Sequence, residues 1–237
     1  MRGFLAGGLL AVSMSLGLAV GAAAQGLRVS PVLLEVPAPG AATTLTLRND
    51  GSRPITVQSR VFRWLQPGAQ DSLERSADVV VSPPAIQLAP GATQTIRVVR
   101  VARTPVSGEE AYRVVLNEIP DQSRRQAGAV AFATELRIPV FFADAGVRSA
   151  DVRWSLRRSG GATHLVAQNT GDSRLRIADV TLSAPNGATV RHPGLLGYVL
   201  GGSSMEWPIA PAGQLGGSAR LSAATNLGAL DVDVPMR

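Results

Sequence analysis

Apolar and polar residues alternate with a period of two along most of the chain that follows residue 25. Clear examples are the segments 45–49, 55–61, 96–99 and 112–116. Side chains two residues apart lie on the same face of a strand, so this pattern predicts β-strands with one buried face. Gly, Pro, Asn and Asp interrupt the pattern at intervals of roughly 8–15 residues, which is typical of a β-sandwich. No sustained helical stripe is present, and the sequence therefore predicts an all-β fold.

Two pairs of turn motifs recur in the two halves of the chain. Asn49-Asp50-Gly51 ends a predicted strand in the first half, and Asn169-Thr170-Gly171 ends one about 120 residues later. Ala89-Pro90-Gly91 precedes a strand in the first half, and Ala210-Pro211-Ala212-Gly213 precedes one in the second, again about 120 residues later. The shared register predicts two sandwiches of one plan in tandem.

These motifs also suggest where the domains begin and end. We expect the first domain to span 25–144 and the second to span 148–237, with a linker at 143–148 after the apolar run that ends at Phe142. Each segment is long enough to bury a core of its own.

Residues 1–24 have the three parts of a secretory signal. Met1-Arg2 is positive, 4–20 is apolar, and Ala22-Ala23-Ala24 provides a small-residue cleavage site before Gln25. The uncharged run is long enough to span a bilayer, so an uncleaved anchor is the alternative. The small residues at its end favour cleavage, and no later segment is apolar enough to span. The sequence predicts an exported, soluble protein that does not insert into the membrane after signal cleavage.

The composition excludes several kinds of site. The 237 residues include no Cys and only two His, which excludes disulfides, thiolate nucleophiles and Cys-ligated metal sites. A Ser-His-Asp triad would need His164, in a strand-like segment, or His192, in a predicted turn. Glu109 and Glu110 are adjacent, so a strand would point them to opposite faces. We expect no enzymatic activity, no metal and no cofactor.

The charge is strongly positive, with a formal net charge of +6. Every one of the 23 basic residues is Arg. Such a balance is common in nucleic-acid-binding proteins. Here, however, the arginines are spread among acidic residues, with Arg124-Arg125 and Arg157-Arg158 as the tightest clusters and no aromatic residues interleaved. We therefore expect no nucleic acid partner.

The most specific signal lies at 112–142. Tyr112–Pro120 ends in Asn117-Glu118-Ile119-Pro120, and a polar stretch separates it from a second alternating run at 130–142. Further matches are Ser82-Pro83-Pro84 with Ile86 and Pro90, Gln94-Thr95-Ile96-Arg97, Asn49 with Gln58, Gly197-Tyr198-Val199-Leu200-Gly201-Gly202 and Thr225-Asn226-Leu227-Gly228. In this order they resemble the PapD-like periplasmic chaperones of the chaperone-usher pathway, and the second half resembles the archaic, Csu-type branch.

The resemblance implies a fold and a function. The fold would be two immunoglobulin-like β-sandwich domains in tandem, at an angle. The function would be that of a periplasmic chaperone that folds and caps pilus or fimbrial subunits by donor-strand complementation and delivers them to an outer-membrane usher. The pilin-like client is a sandwich that lacks its final strand, and the chaperone pairs its own edge strand with the exposed groove, which would otherwise aggregate.

The second run at 130–142 matches the donor strand of that family. Val130, Phe132, Leu136 and Ile138 share one face of a continuous strand and are the candidates for insertion into the client. The alternative is that some of these four side chains fill the chaperone's own core. The start of a long strand can pair with a client while its end packs in the core of the chaperone.

The resemblance also implies an anchor for the C-terminal carboxylate of the client. Arg137 matches a basic residue of the family's last strand, whereas Ser30-Pro31 stand where a first-strand Arg is expected. Arg97 is the candidate for the second anchor, because it lies in a regular strand near the Pro90-Gly91 turn and resembles an Arg of the archaic branch, and Arg100 is the reserve. An Arg fork can hold a carboxylate bidentately. A surface Arg paired with a nearby acid is the alternative for Arg137 and Arg97.

Two other functions are open at this point. The protein could instead be a secreted structural or adhesive sandwich, pilin-like or carbohydrate-binding. A carbohydrate site would need clustered Trp or paired carboxylates, but Trp64, Trp154 and Trp207 are far apart in sequence. Self-association through the apolar edge strand is left open for the protein without a client.

Overall fold

The computed structural model describes residues 26–120 and 133–237 and confirms the all-β prediction. These residues form two successive antiparallel sandwiches, apart from one short 3₁₀ turn at Pro67–Ala69. The signal predicted at 1–24 lies outside the described residues. The predicted domain boundaries stay a prediction, although the last strand of the first sandwich ends at Ala143 and the next strand begins at Val152.

Two sheets face each other in the first sandwich. Its strands are β1 (Leu27–Ser30), β2 (Leu34–Pro37), β3 (Ala42–Asn49), β4 (Ile55–Leu65), β5 (Ser72–Arg75), β6 (Val79–Ser82), β7 (Ala85–Leu88), β8 (Thr93–Arg100), β9 (Glu109–Ile119) and β10 (Glu135–Ala143). One sheet has the order β1-β3-β8-β6, and the other has the order β2-β10-β9-β4-β5, with β7 also paired to β4. The parallel pairing of β2 with β10 is the exception in an otherwise antiparallel arrangement.

The second sandwich is built on the same principle. Its strands are β11 (Val152–Ser159), β12 (Ala162–Asn169), β13 (Leu175–Ser183), β14 (Thr189–Val199), β15 (Ser204–Pro211), β16 (Ser218–Thr225) and β17 (Gly228–Pro235). They form sheets of order β11-β12-β15 and β14-β13-β16-β17.

Alternation along the strands produces a separate core in each sandwich. In the first, the inward positions of β9 and β10 include Tyr112, Val114 and Val140, all fully buried. In the second, Leu165 and Leu221 are fully buried between the two sheets. Each sandwich therefore buries the apolar faces of its own two sheets against each other, as period-two alternation predicts.

The first of the two repeated turn motifs is a true structural repeat. Asn49 donates from Nδ2 to the carbonyl of Arg53 and accepts from the N–H of Gly51 at Oδ1. Asn169 does the same with the carbonyl of Ser173 and the N–H of Gly171. Both side chains are buried, so each amide satisfies backbone groups that water cannot reach.

The equivalence predicted for 89–91 and 210–213 is wrong. In the first sandwich, Gly91 donates to the carbonyl of Asn49 in the turn before β8. In the second, the turn that meets the Asn169 motif is at 200–203, because Asn169 donates to the carbonyl of Ser203. The segment 210–213 instead follows at the far end of β15, so its matching spacing in the sequence is a coincidence.

An aromatic cluster joins the two sandwiches. Trp64 and Phe141, on the outer face of the β9-β10 sheet, pack against Tyr198 at the end of β14, with ring centroids 5.4 Å and 6.1 Å from that of Tyr198. The buried amide of Gln66 donates to the carbonyl of Tyr198 at 3.0 Å and accepts from the N–H of Leu200 at 2.8 Å. Apolar contact and directional hydrogen bonds thus fix the same junction.

A buried arginine also connects the two sandwiches. Arg174, which precedes β13, forms ion pairs with Glu35 and Glu109 of the first sandwich. Its guanidinium carbon lies 3.7 Å from the centre of the Phe141 ring. Both acids lie on strands of the first sandwich, whereas Arg174 belongs to the second. The two salt bridges of Arg174 therefore connect the two sandwiches.

No described residue belongs to a helix that is long and apolar enough to cross a membrane. Within 26–120 and 133–237, no three His, Asp or Glu side chains are grouped as metal ligands would be.

Candidate functional site

The edge of β10 is open for part of its length. On one side, β10 pairs with β9 from Glu135 to Ala143. On the other side, β2 pairs only with Val140–Ala143. Among the residues that the structure describes, nothing pairs with Glu135–Arg137 on that side. A partly covered edge strand offers unpaired backbone donors and acceptors to another chain.

The direction of the backbone groups follows from one hydrogen bond. Glu118 donates to the carbonyl of Thr134 at 2.9 Å, so residue 134 points its backbone toward β9. Antiparallel pairing alternates, and therefore Glu135 and Arg137 point their N–H and C=O groups to the open side. Pro139 has the same parity, and as a proline it has no N–H to offer there.

The side chains of β10 divide between the two faces of the sheet. Ile138 lies in the core of its own sandwich with 6% exposure, and Leu136 packs half-buried against that core. Ile138 thus already fills the chain's own interior, in line with the alternative reading of this strand. The other two predicted donor residues, Val130 and Phe132, lie outside the described residues, and their insertion into a client stays a prediction.

The opposite face of the same sheet carries a group of arginines, which we call the arginine face. One cross-strand row joins Arg60 of β4, Val115 of β9 and Arg137 of β10. The next row joins Arg75 of β5, Phe62, Arg113 and Pro139. Cross-strand partners project to one face, and their chain neighbours fill the core, so the arginine face is the outer surface of the sheet.

Arg113 is the most unusual side chain of this face. Its guanidinium carbon lies 3.7 Å from the centre of the Trp64 ring, at the edge of the aromatic junction. The side chain is only 17% exposed, and burial lowers the pKa of Arg113 below its usual value. Among the described residues, its nearest acid is Asp71 at 3.9 Å, and its one hydrogen bond is a long 3.4 Å contact to the carbonyl of Arg137.

The poor pairing of Arg113 has a chemical consequence. A desolvated cation is costly unless anions or acceptors surround it. The planar guanidinium of Arg113 carries five N–H donors, and most of them have no close acceptor among the described residues. The position suits an added carboxylate, which the fork can bind with two parallel hydrogen bonds.

Arg137 lies in the cross-strand row next to that of Arg113, and its side chain is 61% exposed. Its Nε donates to Glu135 at 2.7 Å, and Asn117 donates to the other oxygen of Glu135 at 2.6 Å. The hydrogen bond from Asn117 and that from Arg137 lower the pKa of Glu135. The exposed ion pair is weak enough to exchange for another carboxylate.

The other two predicted anchors lie elsewhere. Arg97 is exposed on the outer face of the β3-β8 sheet, which is the opposite side of the sandwich from Arg137. These two residues therefore cannot share one carboxylate, and any role for Arg97 in client binding stays a prediction. Arg100 is 8% exposed and donates from Nε and Nη2 to Glu110 and from Nη1 to the carbonyls of Ala102 and Thr104. Its guanidinium is already satisfied, and this geometry does not favour an anchor at Arg100.

Comparison with known proteins identifies the family. The sequence matches the family described as "Pili and flagellar-assembly chaperone, PapD N-terminal domain" over residues 26–148. The chain belongs to this chaperone family. A search of curated protein sequences gave no significant match.

Solved structures of chaperones share the fold of this chaperone along nearly its whole length. The chaperone of the CsuC–CsuE pre-assembly complex of Acinetobacter baumannii is 21% identical, with a TM-score of 0.69, and the match covers 90% of this chain and 99% of that one. The Escherichia coli chaperone DraB is 23% identical, with a TM-score of 0.57 and coverage of 90% and 97%. The Pseudomonas aeruginosa CupB2 chaperone is 18% identical, with a TM-score of 0.57 and coverage of 88% and 100%.

Sequence reasoning did not single out Arg113, the most buried arginine of the arginine face. The residue lies in Tyr112-Arg113-Val114, where alternation already placed it on the polar face of a strand. Its stacking on Trp64 depends on the neighbouring strand β4, and the register of β4 against β9 cannot be read from either segment alone. The available signal was an arginine on the polar face of one predicted strand and aromatic residues, Phe62 and Trp64, in another.

Proposed function

We propose that this chaperone captures an incomplete pilin-like subunit in the periplasm and completes the subunit's sheet with its own strand β10. The observation that carries the proposal is the open edge at Glu135–Arg137, next to a stretch that β2 covers. Strand addition needs such an edge, because the backbone groups of a new strand must find free partners. The similar Csu chaperone was solved in a pre-assembly complex with a tip adhesion subunit, which supports a client of this kind.

The packing of β10 explains how one strand can serve two chains. Ile138 and the β2-paired segment Val140–Ala143 hold β10 in its own sandwich. The N–H and C=O of Glu135 and the N–H of Arg137 are left for the client, while the carbonyl of Arg137 has only the long contact from Arg113. Each new hydrogen bond contributes about 0.5–1.5 kcal/mol, and the apolar residues predicted at 130 and 132 would add the burial that strengthens capture.

Arg113 and Arg137 form the proposed anchor for the client's C-terminal carboxylate. They project from the same face in adjacent rows, and the Nη1 of Arg113 already reaches the carbonyl of Arg137. A carboxylate placed between them would satisfy the buried fork of Arg113 and displace Glu135 from Arg137. A charge-assisted bond of this type is worth about 1.5–3 kcal/mol.

The remaining steps of the proposal concern location and delivery. Export through the signal at 1–24 would bring the chaperone to the periplasm. An outer-membrane usher would then receive the chaperone–subunit complex, as the resemblance to the Csu-type branch implies. We propose no nucleic acid partner and no membrane insertion after signal cleavage.

Co-purification from the periplasm tests the proposal. We expect the wild-type chaperone to bring down a secreted subunit and Arg113→Gln to lose about 10- to 150-fold of that affinity, the equivalent of one charge-assisted bond. The variant should keep its melting temperature, because it removes an under-paired cation while retaining much of the contact with Trp64. Arg153→Gln is the matched control, since Arg153 is an exposed arginine of β11 in the second sandwich.

Two results would count against the proposal. Recovery of the wild-type chain with no secreted subunit would remove the chaperone function. A fully retained complex with Arg113→Gln would leave strand addition in place but would remove Arg113 from the anchor.

A further inference from the structure

A surface cleft of about 370 Å³ lies at the side of the arginine face, between β4 and β5. Its walls are formed by Arg60, Val61, Phe62, Arg75 and Ser76. The volume is within the range of small-ligand sites, roughly 300–1,000 Å³. Phe62 is half-buried and provides an apolar floor, with the guanidinium carbon of Arg60 5.7 Å from the centre of its ring.

Within the described residues, no acid forms a salt bridge with either arginine of the cleft. Arg75 makes no ion pair with any described acid, and the one described hydrogen-bond acceptor of Arg60 is the neutral side chain of Asn117, at 2.9 Å. Glu74 is next to Arg75 but projects to the opposite face of the strand.

The remaining acids near the cleft are already engaged. Asp78 accepts from the hydroxyl of Ser76 at 3.0 Å and pairs with Arg63 at 3.3 Å. Glu135 accepts from Arg137 and Asn117. Among the described residues, these two acids are held by other partners, so Arg60 and Arg75 face the apolar floor without an ion pair.

We propose that this cleft is a second client contact, which binds an acidic side chain of an extended client segment. The inference rests on the proposed function, because the arginine face continues from Arg113 through Phe62 to Arg75 in one cross-strand row. A client seated at Arg113 and Arg137 thus covers the surface that leads directly into the cleft. Two guanidinium groups select a carboxylate by charge, and the half-buried Phe62 accepts the aliphatic or aromatic side chain beside it.

The proposed contact between the cleft and the client would act on the rate of client dissociation. Partly exposed arginine–carboxylate pairs add little affinity each, and they are screened by salt. Two of them would slow the dissociation of a client that strand addition already holds.

The test compares two double variants in complex with the subunit that co-purifies with the wild-type chain. We expect Arg60→Gln with Arg75→Gln to form the complex but to release the subunit about three- to tenfold faster at low salt, with a weaker dependence of the rate on salt. Arg153→Gln with Arg191→Gln removes the same charge from the second sandwich and should leave both quantities unchanged. A rate and a salt dependence equal to wild type for the cleft variant would overturn the inference and leave the proposed function standing. Failure of the wild-type chain to bring down any subunit would overturn both.

A peptide titration distinguishes a carboxylate side chain from a free anion. The probes are a capped peptide that alternates valine with aspartate, its asparagine counterpart, and sodium phosphate. We expect the acidic peptide alone to shift the amide NMR signals of residues 60–62 and 75–76 in the wild-type protein. Equal shifts with the asparagine peptide, or shifts with phosphate but not with the acidic peptide, would contradict the proposed occupant.

Discussion

A proline at residue 137 would test the open edge without disturbing the sandwich that holds it. The N–H of Arg137 points away from β9, so Arg137→Pro removes no hydrogen bond of the chain's own sheet. The chain already places Pro139 at the same parity two residues later. Proline is accepted on an edge strand when its nitrogen faces outward.

The cost to client binding can be worked out from the same geometry. The proline removes one hydrogen bond to the client and leaves a client carbonyl without a donor in a desolvated interface. Together these effects amount to about 2–3 kcal/mol, or about 30- to 150-fold weaker binding. Arg137→Ala separates the backbone from the side chain, because it removes the guanidinium and keeps the N–H.

Leu136→Pro is the opposite case on the same strand. Its N–H points toward Leu116 of β9, and its side chain packs against the core. We expect a loss of about 2–4 kcal/mol in the free energy of unfolding, or roughly 5–15 °C in melting temperature. Arg137→Pro should change the melting temperature by no more than a few degrees, because it breaks no backbone hydrogen bond and removes only an exposed ion pair with Glu135.

The assay measures subunit recovery and the melting temperature for all three variants. The expected order is that Arg137→Pro stays folded but recovers much less subunit than Arg137→Ala, while Leu136→Pro is unstable. Equal recovery with Arg137→Pro and Arg137→Ala would refute strand addition at this edge. A melting temperature of Arg137→Pro as low as that of Leu136→Pro would refute the assigned direction of the backbone groups.

Two further predictions concern stability. Gln66→Leu removes the hydrogen bonds to Tyr198 and Leu200, and we expect it to lower the free energy of unfolding by about 1–3 kcal/mol. We also expect a larger radius of gyration in small-angle scattering. Unchanged scattering and stability would show that the aromatic cluster and Arg174 fix the junction without Gln66. Hydrogen bonds from Arg100 lower the pKa of Glu110 below its usual 4.5, so the stability from this pair should be present above that pH and lost as the pH falls through the lowered value. Glu110→Gln should flatten this acid limb in thermal unfolding, and a limb identical to wild type would contradict the assignment.

The strand content was predictable because each sandwich buries one face of nearly every strand. In 112–116, Tyr112 and Val114 are buried and Arg113 lies on the outer face, as one buried face per strand predicts, although Val115 on that outer face is also buried. The buried Asn49 and Asn169 were also visible as repeated turn motifs, since a local amide-to-backbone pattern needs only a few consecutive residues.

The site was less predictable because it depends on which strands are neighbours. Arg97 and Arg137 both lie on outward positions of regular strands, and the sequence cannot tell that these strands belong to different sheets. Alternation could not show that Arg100 would meet Glu110, because that pair joins β8 to β9 across the two sheets. The length of the β2–β10 pairing, which leaves Glu135–Arg137 open, is likewise set by where β2 begins its parallel run, at Leu34 opposite Val140.

The two ends of β10 meet opposite demands, and their residue types differ accordingly. The covered end is apolar, with Val140, Phe141 and Phe142 buried, and it gains stability from β2 and from the aromatic junction. The open end carries Glu135 and Arg137 on its exposed face, and charges on an edge discourage indiscriminate pairing with other strands. A carboxylate that replaces Glu135 at Arg137 would remove part of this protection only when the correct partner is present. Selectivity for a client would then arise from the coupling of an unprotected backbone edge to an anchor that only a free carboxylate satisfies.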